Sequence, residues 1–317
     1  MTSEPLRKSH IARLRALSDA PRDQFELALQ MLSRPKDVLD VLAALKVLRD
    51  LAEPAARAPL LQLYAYYVED PTKRDRGATV RREILAALRF IALSADADLL
   101  EAAAVELEWL PPGPSEVGGP LRASALLALD AVDEARATSH AVRLLYDPHV
   151  ERMSGEPALT AARVLGAQGQ TAPLYGYVIG AADRLPEVVA ECLRHLVELP
   201  TILLECLVDR IFDRGDPAEI VGLSELLTER PDGERFAAGV DQFLAQTRDI
   251  DLYRYVVTVS LASRRQAFIA MVIDRAKLET REDRIVVLLE ALTMREGDPD
   301  VEAVVKHLNL RLKPRRT

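Results

Sequence analysis

The stretch VRREILAALRFIAL, residues 80–93, sets the pattern for most of the chain. Val80, Ile84, Leu85, Leu88 and Ile91 fall on one stripe at helical spacing, with Arg81, Arg82 and Arg89 off it. The same spacing recurs almost everywhere, and no comparable stretch alternates with period two. The pattern therefore predicts an all-α protein without strands. Seventeen helices are read between residues 22 and 312, most of 12 to 17 residues with short connections. Such lengths suit antiparallel helical hairpins.

Helix starts are marked by a capping acid followed by a proline fit for the first turn, at Asp70-Pro71, Asp147-Pro148, Asp216-Pro217 and Asp298-Pro299. The acid pairs Asp96/Asp98, Asp249/Asp251 and Asp298/Asp300 resemble metal ligands but sit where helices should begin, so capping and helix-dipole complementarity account for them. Three longer connections interrupt the rhythm: 70–78 (DPTKRDRGA), 111–119 (PPGPSEVGG) and 147–156 (DPHVERMSGE). All three are expected as surface loops on one side of the array.

First-helix segments LAALKVL, LAALRFI, ASALLAL, LTAARVL and AECLRHL end at Leu48, Ile91, Leu129, Leu165 and Leu196, in steps that shrink from 43 to 31 residues. That drift excludes a rigid motif-by-motif repeat but fits hairpins with variable loops. In PALTAARVLGAQGQTAPLYGYV, small residues at Ala161, Ala162 and Gly169 accompany a Leu165-Gly166 turn, and Ala172 and Leu174 open the next helix. Here, and again through Val80, Arg81, Ala87 and Leu88, the chain resembles the HEAT-repeat (armadillo-type) family of α-solenoids. The resemblance is good over 36–213 and weak from 214 onward. It implies a right-handed α-solenoid of antiparallel helical hairpins and a tendency to bind macromolecules, and it carries no catalytic residues. On this reading 1–317 is a single array: 1–35 an N-terminal cap, 36–213 the better-matching repeats, 214–313 divergent repeats with a C-terminal cap, and 314–317 a short basic tail.

Composition agrees with close helix packing. Hydrophobic residues make up 49% of the 317 and aromatics only 5%, so the apolar content is mostly Ala, Leu and Val. The net charge is −8, but residues 1–23 carry +2 and 302–317 carry +4, which leaves −14 on the body between them. An acidic body repels phosphate and disfavours nucleic acid along its length. Cys192 and Cys206 lie in apolar helical runs and are expected as two buried thiols. The opening MTSEPLRKSHIARLRAL has no apolar core of signal length, and no later run is long enough to span a membrane, so a cytoplasmic protein without a membrane partner is expected.

The search for chemistry finds no GxxxxGK, GxGxxG, HExxH, paired CxxC or GxSxG, and the five histidines are scattered without metal-ligand spacing. No cofactor or metal is expected. Glu101, Glu106 and Glu108 are read as the solvated acidic face of one helix, 97–110. Trp109, the sole tryptophan, falls at the side of that helix's apolar stripe before a PPGP loop and is a candidate partner anchor. Lys73, Arg74 and Arg76 form a basic loop able to meet an acidic partner.

A phrase LYxY occurs at Leu63–Tyr66, Leu174–Tyr177 and Leu252–Tyr255. Aligning the two APL tripeptides, 58–60 and 172–174, sets Tyr64 opposite Val178, so the copies are not equivalent. Tyrosines two apart on a helix point about 200° apart, which predicts one ring in the core and one at its edge. The expected function is a non-enzymatic scaffold or adaptor binding a protein partner on its curved surface. The alternatives are a HEAT-like enzyme, DNA glycosylase-like or bilin lyase-like, or nucleic-acid attachment through the basic C-terminal tail.

Overall fold

The structure, a computed structural model, describes residues 4–33, 37–110, 115–180 and 184–312; side chains of 4–9 and 214 fall outside that description. The PPGP stretch 111–114 and the basic tail 314–317 therefore lie outside the described residues. The chain groups into two compact units, residues 1–168 and 169–317. Among the described residues its regular elements are all helices, apart from one two-residue ladder.

Unit 1 contains α1 (Glu4–Ala16), α2 (Pro21–Leu32), α3 (Val38–Leu51), α4 (Arg57–Glu69), the short α5 (Pro71–Arg74), α6 (Thr79–Leu88), α7 (Ala97–Ala103), β1 (Trp109–Leu110), β2 (Ser115–Glu116), α8 (Gly119–Asp130), α9 (Glu134–Leu145) and α10 (Ala158–Ala167). Helices α3, α6, α8 and α10 pack in succession, while α4 lies on α6, α7 on α8, and α9 on both α8 and α10. The stripe read from sequence forms the α6 side of this core, since Val80, Ile84, Leu85, Leu88 and Ile91 are all buried. Small residues make the contacts close: α8 buries Ala123, Ala125 and Ala128 between Leu121, Leu126 and Leu129. Polar cross-links run between the second helices. Arg136 of α9 meets Asp98 (2.6 Å) and Glu101 (3.2 Å) of α7, and His140 Nε2 lies 2.8 Å from Glu101.

Unit 2 contains α11 (Thr171–Ile179), α12 (Pro186–Arg194), α13 (Thr201–Arg214), α14 (Pro217–Glu229), α15 (Ala237–Gln246), α16 (Ile250–Ala262), α17 (Gln266–Leu278), α18 (Glu282–Leu292) and α19 (Pro299–Leu312). Here α12, α14, α16 and α18 form one succession and α13, α15, α17 and α19 another. Arginines hold helix ends by donating to backbone carbonyls. Arg230 reaches the carbonyls of Val197 (2.6 Å) and Leu199 (2.7 Å), and Arg295 those of Leu261 (3.0 Å) and Ser263 (2.9 Å). The last helix buries Val301, Val304 and Leu308, and Arg311 bonds the carbonyl of Glu279; Lys306 and Arg311 thus sit on a packed terminal helix.

Several expectations change. Residues 97–110 are not one helix, because α7 stops at Ala103 and the chain turns into a ladder pairing Trp109 with Glu116 and Leu110 with Ser115. The physical reason is that Glu106 and Glu108 turn inward to meet a buried arginine, which a helix would not allow. Asp147-Pro148 starts no helix; Asp147 accepts from His149 N at 2.7 Å inside a turn. Asp70, Asp216, Asp249 and Asp298 do cap the helices that follow them. Cys192 is buried, and burial pushes its thiol pKa up, but Cys206 is exposed on α13.

The tyrosines divide as the helical geometry requires. Tyr64, Tyr177 and Tyr253 are buried, whereas Tyr66, Tyr175 and Tyr255 lie at the edge or outside. The APL alignment superposes the buried sets Leu60/Leu63/Tyr64 of α4 and Leu174/Tyr177/Val178 of α11. The shared phrase is therefore out of register between copies.

Helices α12 and α14 meet so closely that a Cβ on Gly222 would lie 2.6 Å from the Ala190 Cα and carbonyl oxygen. Backbone cannot yield there. Gly222→Ala should cost about 1–3 kcal/mol in urea unfolding, despite alanine's better helix propensity.

Candidate functional site

Three loops of unit 1 converge on two arginines that expose no surface. The first is built by Gly77 and Ala78, at φ 88° and 56°, which turn the chain into α6 through two left-handed residues. That turn places the Asp75 carboxylate against the first amides of the helix, accepting from Val80 N (2.8 Å) and Arg81 N (2.9 Å). The arrangement complements the helix dipole. Arg81 then donates from Nε to Asp75 (3.1 Å), from Nη2 to Glu108 (2.8 Å) and from Nη1 to Glu106. The side chain that sequence placed off the apolar stripe is thus 0% exposed.

The second arginine repeats the arrangement one hairpin later. Glu116 accepts from Gly118 N (2.7 Å) at the start of α8 and from Glu108 N (2.9 Å). Arg122 binds both Glu116 oxygens, with Nη1 at 2.9 Å and Nη2 at 3.0 Å, and donates to the Glu106 carbonyl at 3.1 Å. Its Nε lies 3.3 Å from Asp147 as an ion pair without hydrogen-bond alignment, and Nη2 reaches the His149 carbonyl at 3.4 Å. Glu108 closes the network by accepting from Gly77 N at 3.2 Å. Segments 75–78, 104–110, 115–118 and 147–149 therefore form one connected edge.

The electrostatics follow from five carboxylates around two guanidiniums. Burial works against the Glu116 carboxylate, yet the bonds from Arg122, Glu108 N and Gly118 N outweigh it and hold its pKa below the usual range. Burial prevails at Glu106, with Glu108 and Asp75 adding repulsion, and raises its pKa despite Arg81. Sequence reading assigned Glu106 and Glu108 to a solvated face. They are instead held by Arg81, with Glu108 buried.

The candidate residues come to this edge. Trp109 leads β1, 46% exposed, with its ring edge-on to His149 at 5.3 Å between centroids. Val105 and Leu107 are also exposed near it in the chain, and Arg143 ties α9 to the same loop by donating to the Ala104 carbonyl at 2.6 Å. Lys73 pairs with Asp70 at 3.0 Å; Arg74 pairs with Glu69 at 2.7 Å and stacks on Tyr66, 4.1 Å from the ring centroid. Arg76 stands exposed next to Gly77. The loop's own acids thus offset part of its positive charge.

Of the residues that organise the edge, Asp75, Glu116 and Arg122 carry no sequence-based expectation, Arg81 is read only as off the apolar stripe and as part of the repeat resemblance, and Asp147 only as a helix cap. A signal was present: DRGATVR (75–81) and EVGGPLR (116–122) share an acid, a Gly two later and an Arg six later, 41 residues apart. Among the described residues no three His, Cys, Asp or Glu side chains are placed to hold a metal ion, and no helix is long and apolar enough to cross a membrane. Compared with protein-family models and with curated proteins, the chain matches none.

Removing one partner of a buried ion cluster strands the others. Arg122→Met should cost about 3–5 kcal/mol by urea unfolding, against under about 0.5 kcal/mol for the exposed Arg89→Met. A pH dependence accompanies it. Stability contributed by Glu116 is present above its ordinary 4.5 and is lost as pH falls through its lower folded value. The deficit of Glu116→Gln at neutral pH should therefore shrink below about pH 4.5 when urea midpoints are compared.

Proposed function

We propose that the chain is a non-catalytic, HEAT-like repeat adaptor of the right-handed α-solenoid kind, acting in the cytoplasm. It holds a protein partner along the curved surface lined by its second helices and uses the Trp109 edge as an anchor. The observation that supports this reading is a half-exposed tryptophan on a loop that two buried arginines fix in place. Large aromatic side chains held rigidly lose little entropy on binding and dominate interface energetics. The carboxylates flanking Trp109 in the ladder, Glu108 and Glu116, are engaged with Arg81 and Arg122, which suits a positioning role better than acid-base work. Ala- and Leu-rich hairpins stacked in sequence supply an extended surface for such a partner.

The test is affinity capture from lysate of the source organism with wild type and Trp109→Ala side by side, at low and high salt, read by mass spectrometry. One protein should be retained by the wild type at both salts. Its recovery should fall about tenfold or more on the variant, as for a hot-spot residue. The thermal midpoint of the variant should stay near that of wild type. Equal recovery on both baits, or a salt-labile nucleic-acid fraction alone, would overturn the proposal.

A further inference from the structure

Unit 2 carries a groove between α13 and α15 that unit 1's edge does not explain. It is small, about 160 Å³ in volume, and open to solvent. Val208 and Gly239 form the floor. Phe212 and Phe243 stack against each other at 5.1 Å with 20° between their planes, giving an aromatic wall with Phe243 buried beneath it. Asp209 and Asp213 of α13 and Gln242 and Gln246 of α15 stand exposed along the groove. Two nearby cations are committed elsewhere: Arg210 donates to the Val178 carbonyl at 2.8 Å, and Arg235 pairs with Glu205 at 3.6 Å.

We infer that this groove is a binding site for an arginine side chain presented by a protein partner. An aromatic wall with a carboxylate at its lip matches a guanidinium on two counts. The planar cation stacks on π faces, and its fork of N–H donors satisfies a carboxylate and an amide oxygen together. The three-methylene stem then covers the apolar floor. A lysine ammonium lacks the plane and is more strongly hydrated, so it gains less there. The acidic body of the chain, −14 between residues 24 and 301, draws a basic segment toward the site. The inference names the partner chemistry for the second-helix surface proposed above and rests on that reading for its use in the cell; the groove itself stands on its own geometry.

Gly239 makes the test clean. A Cβ added there would meet Val208 Cγ1, a groove-lining atom, at 3.8 Å, an ordinary contact, so a side chain can start from position 239 without displacing backbone, and Gly239→Leu is the variant chosen to occupy the groove. The full chain is titrated with N-acetyl-arginine methylamide and with its neutral citrulline counterpart, followed by NMR shift changes of unit 2 amides. The arginine compound should bind with a millimolar Kd, and citrulline about fivefold or more weaker. Asp209→Asn should weaken arginine about fivefold, and Gly239→Leu should abolish binding with its unfolding midpoint unchanged or raised. Equal binding of the two compounds, or undiminished binding by either variant, would overturn the inference. Loss of partner capture with arginine binding intact would sink the adaptor reading and leave the groove standing.

Discussion

Two guanidinium groups, each without exposed surface, carry the local structure of unit 1. Burying Arg81 and Arg122 is costly in itself, because each gives up its hydration and is repaid only by near-complete coordination. That requirement reaches outward. Asp75 must lie under the first turn of α6, Glu106 and Glu108 must leave the helical path after Ala103, and Glu116 must double back on Glu108 N. The short ladder around Trp109 is a result of this coordination, and the half-exposed indole is held by it.

Unit 2 treats the same residue type differently. Arg230, Arg295 and Arg311 donate to backbone carbonyls, mostly at the ends of preceding helices, where lone pairs lack intrahelical partners. Acids take part: Asp232 accepts from Arg230 and Thr201, and those bonds pull its pKa down to about 2. The difference is one of purpose within each body. The carboxylates around Arg81 and Arg122 join loop to loop in unit 1, whereas Arg230, Arg295 and Arg311 in unit 2 tie one helix to carbonyls near the end of another.

Helices were legible in the sequence wherever an apolar stripe met a capping acid, because both signals are local. The stripe of α6 and the caps at Asp216, Asp249 and Asp298 needed nothing from the rest of the chain. Residues 97–110 misled for the same reason. Their spacing is helical, but Glu106 and Glu108 answer to Arg81, more than twenty residues away, and a distant charge overrode the local period. Trp109 was found as a residue of interest but on the wrong element. Arg81 reads as off the apolar stripe and is nevertheless fully buried, since no periodicity reports that a later loop will cover it.

Trp109 has one more consequence. It is the only indole in the chain, and it sits where segment 104–110 meets the loop that carries His149. Light absorbed by indole alone therefore addresses a single position in unit 1, while unit 2, with no tryptophan, stays dark. Emission colour and quenching at that position report whether the loops are joined and whether something covers them. The protein thus contains its own unlabelled optical gauge for one half of its structure.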